Sequence, residues 1–102
     1  MSVELTFTAQ YRSERTSPEV LAAATRYARA LAADGQTYTV EVGRTWISII
    51  EEGVPLCAVH ASNGGVYPAS MATHPSRNLA RRGSIRELAR EAEAKASRGV
   101  AA

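Results

Sequence analysis

The sequence predicts an α+β domain in which an antiparallel β-meander packs against two helices, in the order β-α-β-β-β-β-α. Three observations lead there. The amino-terminal residues alternate apolar with polar, the period of a half-buried strand. Two capped segments repeat their apolar residues at helical spacing. Between those segments lie short alternating runs separated by glycine-containing turns.

Val3, Leu5, Phe7, Ala9 and Tyr11 alternate with Glu4, Thr6, Thr8 and Gln10, so a first strand is expected over 3–11. Thr16-Ser17-Pro18-Glu19 then supplies a capping hydroxyl, a proline suited to the first helical turn and an acid at the positive end of the helix. Val20, Ala24, Tyr27, Ala28 and Leu31 form its apolar face, and Asp34-Gly35 ends it. Strands are expected next over 38–42, 45–51, 56–61 and 66–70. Gly43-Arg44, Glu52-Gly53 and the hairpin signal Asn63-Gly64-Gly65 separate them. Residues 71–83 read as an irregular loop. Ser84 and Glu87 match a capping box, Ile85, Leu88, Ala89, Ala92 and Ala96 make a narrow apolar stripe, and Gly99 closes the second helix. No repeat or linker divides the chain, so residues 1–102 are expected to form one domain.

A chain of 102 residues buries only about two-thirds of its unfolded surface, and many of its apolar residues are alanines. With two helices on one face of the sheet, apolar surface is left over, and a homo-oligomer is expected. Cys57 is the single cysteine, so no intrachain disulfide is possible. The opening Met-Ser-Val-Glu has neither a basic nor an apolar leader, and no apolar run approaches the ~20 residues of a membrane span, so a cytoplasmic protein without membrane association is expected. Charge is uneven. Up to Ser70 five arginines stand against seven acids, whereas from Met71 seven basic residues stand against three glutamates.

Catalytic groupings are sparse. Cys57 and His60 are three apart in an expected strand and therefore point to opposite faces, which keeps thiol and imidazole out of contact. Metal ligands do not recur in close pairs, Glu51 and Glu52 are adjacent turn residues, and Gly64-Gly65 leads into a strand instead of the helix that a phosphate loop requires. No catalytic residue, metal or cofactor is expected. The chemistry concentrates over 67–90. Arg81-Arg82-Gly83-Ser84-Ile85-Arg86 places guanidinium groups, a glycine and a capping serine at a helix start, where phosphate oxygens find donors. Arg82, Arg86 and Arg90 also form a four-residue stripe, which fits equally a solvated helix face pairing with Glu51 or Glu52. Trp46 and Tyr67 are the aromatics free to stack on a base, because Phe7, Tyr11, Tyr27 and Tyr38 fit core-facing periods.

Gly43-Arg44-Thr45-Trp46, Cys57-Ala58-Val59-His60-Ala61, Gly65-Val66-Tyr67, Ala69-Ser70, Pro75 and Arg82-Gly83-Ser84-Ile85 together resemble a family of small phage proteins. In that family a glycine-basic-x-aromatic strand precedes a hairpin ending Gly-x-Val/Ile-Tyr-Lys-x-Ala-Ser-Trp, and a proline, a basic residue and Arg-Gly-Asn/Ser-Ile follow. Here Pro68 replaces the lysine, Met71 replaces the tryptophan and the loop before Gly83 is longer, while Arg77 keeps the basic position. With the resemblance, the residues point to a non-enzymatic, phage-encoded binding protein for a phosphate-bearing ligand such as a nucleotide. One version is a sponge for a signal made by a bacterial defence system. The ligand contacts expected are Trp46, Tyr67, Ser70, Arg77, Arg81, Arg82, Gly83, Ser84 and Arg86. A DNA- or RNA-binding module and a protein that inhibits a host factor remain alternatives.

Overall fold

A computed structural model describes residues 2–69 and 83–101. Strand β1 (Ser2–Phe7) leads through a short 3-10 turn (Ser13–Arg15) into α1 (Pro18–Leu31). A second 3-10 turn (Ala32–Asp34) follows, then β2 (Thr37–Val42), β3 (Trp46–Glu51), β4 (Val54–His60), β5 (Val66–Pro68) and α2 (Ile85–Ala101). The five strands form one sheet in chain order. From β2 to β5 it is the expected antiparallel meander, but β1 pairs parallel to β2, so the sheet is mixed. The cause is α1. A helical crossover carries the chain back to the end of the sheet where it started, and the next strand must then run the same way as the first.

Ser17 begins α1 as expected, its hydroxyl accepting from the Val20 amide at 3.4 Å with Pro18 in the first turn. The helix ends in the 3-10 turn and Gly35, whose φ of +97° glycine alone adopts without strain. Replacing Ser17 by Ala should lower stability by about 0.5–1 kcal/mol, the lower part of the usual capping range because the bond is long. A urea titration would register this as an earlier midpoint with an unchanged slope. An unaltered midpoint would mean that Pro18 and the buried Thr16 hold the helix start without the cap.

Register assigns the faces of the sheet. Tyr38, Val40 and Val42 of β2 lie opposite Glu51, Ile49 and Ile47 of β3, and Ile49 and Ile47 lie opposite Cys57 and Val59 of β4. These residues apart from the partly exposed Glu51, with Val66 and with Val20, Ala23, Ala24 and Ala28 of α1 and Ile85 of α2, make the buried core. Both helices therefore lie on one face. Leu56 is the extra residue of a β-bulge, since Ile49 pairs Cys57 but Ile50 pairs Pro55. Pro55 is tolerated inside β4 because β5 reaches only as far as Cys57, which leaves the start of β4 an edge.

Four details depart from the sequence reading. Strand β1 ends at Phe7, and Tyr11 folds back so that its ring lies 4.6 Å from that of Phe7. Phe7 points to the helix side yet stays 49% exposed, because it sits on the outermost strand beyond the cover of α1. Strand β4 starts two residues earlier than expected, at Val54. Helix α2 runs through Gly99 to Ala101, since a glycine costs a helix only about 1 kcal/mol relative to alanine and does not by itself stop it.

Candidate functional site

The side of the sheet away from the helices carries the alternate residues of each strand. On β1 and β2 these are Glu4, Thr6, Thr39 and Glu41; on β3 to β5 they are Trp46, Ser48, Ile50, Ala58, His60 and Tyr67. One half is polar and acidic, the other aromatic and apolar. Trp46 stands opposite His60 in the β3–β4 ladder, and Tyr67 stands opposite Ala58, which in turn faces Ser48. The three rings meet edge to face, Trp46 being 5.3 Å from His60 and 5.5 Å from Tyr67 between centroids. Edge-to-face geometry of this kind is favourable and holds each ring in place. All three rings remain partly exposed, while Ala58 among them is fully buried.

Ring orientation is fixed further at His60. Its Nδ1 accepts from the Ser62 amide at 3.3 Å and lies 3.0 Å from the Ser62 hydroxyl, which leaves the proton of the neutral ring on Nε2. The thiol of Cys57 is on the opposite, core side, in register with Ile49 and Pro68. Thiol and imidazole are thus separated by the sheet.

The hairpin that presents Tyr67 also holds the Gly83-Ser84 turn. His60 donates its amide to Gly65, Gly64 donates to His60, and the Asn63 side chain accepts from the Gly65 amide at 2.8 Å, which closes the hairpin. Val66 donates to the Gly83 carbonyl and Ile85 donates to the Gly64 carbonyl, with an isolated bridge between Gly65 and Ser84. Gly83 has a φ of +118°, so the backbone at this position favours glycine. Ser84 caps α2 by accepting from the Arg86 amide at 3.2 Å. Two of the first amides of α2, those of Ile85 and Arg86, are therefore bonded within the protein.

Trp46 and Tyr67 are thus brought together with His60, and Gly83 and Ser84 are joined to the same hairpin. Arg86 is not brought to the rings. Its guanidinium turns toward the helix layer and pairs with Glu19 of α1 at 3.1 Å, both side chains being well exposed. An exposed pair of that kind contributes about 0–1 kcal/mol. The expected pairing with Glu51 or Glu52 is not formed by Arg86. Glu51 accepts from the Tyr38 hydroxyl and Glu52 accepts from the Thr37 amide at 2.9 Å. Arg90 is exposed one turn further along α2. Ser70, Arg77, Arg81 and Arg82 lie outside the described residues.

His60 was not among the sequence candidates. Its signal exists only in the register, which sets it opposite Trp46, and a single strand does not reveal its cross-strand partner. Between the two helices lies a concavity of about 650 Å³, lined by Tyr27, Ala30, Leu31, Leu88, Ala92 and Ala96. Burial there, followed by the nearness of Cys57 and Glu91, pushes the Tyr27 hydroxyl above its ordinary pKa. Arg26 closes one side of the helix pair with a two-pronged bond to Glu93, which holds that carboxyl below its usual range. No group of potential metal ligands occurs among the described residues, and none of their helices is long and apolar enough to cross a membrane.

Fold and site together define a small α+β domain with a mixed five-stranded sheet, helices on one face and a ring cluster on the other. No protein-family model, curated protein or solved structure matches the chain.

Proposed function

We propose that this domain is a non-enzymatic binding protein for a ligand that joins an aromatic ring to phosphate, a nucleotide being the simplest case. The observation that carries this reading is the cluster of Trp46, His60 and Tyr67, on the face away from both helices and attached through one hairpin to the Gly83-Ser84 turn. The ring of the ligand stacks at the cluster. The arginine-rich run around that turn meets its phosphate. The acidic half of the same face, Glu4 and Glu41, favours a short ligand over a long nucleic acid, because a polyanion laid across the sheet would run over both carboxylates. The resemblance to small phage proteins supports a narrower version, a phage-encoded homo-oligomer that sequesters a nucleotide signal of host defence.

Trp46 is the sole tryptophan, so its emission reports directly from the cluster. Titration with a panel of cyclic and linear nucleotides should quench it saturably, with Tyr67→Ala weakening the response by about 1–3 kcal/mol, the value of one stacked base. Arg82→Ala should weaken it by about 1.5–3 kcal/mol, the scale of a charge-assisted hydrogen bond, and Arg98→Ala, at the far end of α2, should leave it unchanged. Emission indifferent to every nucleotide would remove the reading. Equal losses for Arg82 and Arg98, seen only with DNA, would replace it with a diffuse nucleic-acid surface.

A further inference from the structure

Strand β1 is the outermost strand of the sheet, and the Thr8 amide donates to the carbonyl of Val42 on β2. Backbone groups along a strand alternate sides, so in the parallel ladder Glu4 and Thr6 point their amides and carbonyls toward β2. Those of Val3, Leu5 and Phe7 point away from the sheet. Among the described residues none pairs with that outer edge. The same three residues direct their side chains to the helix side of the sheet, in register with Tyr38, Val40 and Val42, yet Leu5 is 44% and Phe7 49% exposed. The edge lacks the usual protections. It has no proline, lysine or bulge, and its only charge is Glu4.

We infer that the outer edge of β1 pairs antiparallel with β1 of a second copy of this chain, about a two-fold axis at Leu5, joining two sheets into one. The sequence of the strand selects both the partner and the register. Centred on Leu5, Val3 faces Phe7, Leu5 faces Leu5 and Phe7 faces Val3. All of these residues have outward backbone groups, giving about six intermolecular hydrogen bonds, two per pair. Between them Glu4 faces Thr6 in both directions, so no like charges meet. Centring on Glu4 would set the two carboxylates directly opposite each other, which is unfavourable. Centring on Thr6 would leave Val3 without a partner in the strand. Only the Leu5 register joins the apolar side chains of both copies into one strip, and an arrangement that satisfies itself in both directions is what a two-fold interface requires.

Sedimentation equilibrium of the whole protein at tens of micromolar should give about twice its 10.9 kDa mass. Leu5→Lys sets two ammonium groups opposite each other on the axis and should yield a monomer with an unchanged circular dichroism spectrum and a melt that no longer depends on protein concentration. The register has its own test in a Cys57→Ser background. Leu5→Cys should cross-link to a covalent dimer under mild oxidation, because hydrogen-bonded partners have Cα atoms about 5.5 Å apart, within disulfide reach. Val3→Cys should not, since its two copies would lie about 13 Å apart along the strands. A monomeric parent, a folded Leu5→Lys dimer, or equal cross-linking at positions 3 and 5 would each overturn the proposal. Should Leu5→Lys fail to fold, the two cysteine variants decide.

Discussion

Gly64→Ala should remove about 2–5 kcal/mol of stability, a large share of what a domain of this size possesses. Two costs add. The residue has a φ of +78°, which an L-amino acid with a side chain adopts at about 1–2 kcal/mol. A β-carbon there would also stand 3.3 Å from Cγ2 of Ile85 and 3.4 Å from Cγ2 of Val20. Both neighbours are buried and belong to different helices, so neither can yield without disturbing the core, and overpacking of this kind costs about 1–3 kcal/mol. Gly35→Ala separates the two costs. Its φ is +97° but nothing lies within 4 Å of the added carbon, so only the conformational part remains. Urea unfolding of both variants measures the difference, and equal losses would show that the contacts at Gly64 carry no strain.

Ile85→Ala should cost about 2–5 kcal/mol, the range for truncating a fully buried isoleucine. Among the described side chains of α2, Ile85 is the only large one that is fully buried; Leu88 is half-buried and the rest of the inward stripe is alanine. Amide exchange should therefore accelerate through α2 and the Gly64-Gly65 hairpin before the β2–β3 ladder is affected. Combined with Gly64→Ala, the loss should be smaller than the sum of the two singles by at least about 0.5 kcal/mol, because the new methyl enters space that the missing side chain vacates. Strict additivity would place the crowding on Val20 instead.

The two helices and the meander were legible because their signals are local. Ser17-Pro18 and the Val20, Ala24, Ala28 stripe specify α1, and Asn63-Gly64 specifies the last hairpin. The direction of β1 was not legible, since alternation of Val3, Leu5 and Phe7 is identical for parallel and antiparallel pairing. Exposure of Phe7 was hidden for a related reason. The pattern says which face a residue takes, while its burial depends on how far α1 extends across the sheet. Trp46 and Tyr67 could be singled out as unassigned aromatics, but their meeting with His60 needed the cross-strand register. The capping role of Ser84 was visible, whereas the use of the Ile85 amide by Gly64 and the choice of Glu19 by Arg86 depend on how α2 lies against α1 and the hairpin.

The two sides of the sheet end differently. At β5 the outward amide of Val66 already serves Gly83, and Pro68, the next residue with the same orientation, has no amide to offer. Another strand arriving there finds no row of donors. Fibril growth by strand addition needs a sheet that can be extended at both ends, so that every newcomer presents a fresh template. Among the described residues β1 offers the full-length open edge, and a copy that adds there in the same orientation presents its own β5 to the solvent. Growth by this route stops after a single step.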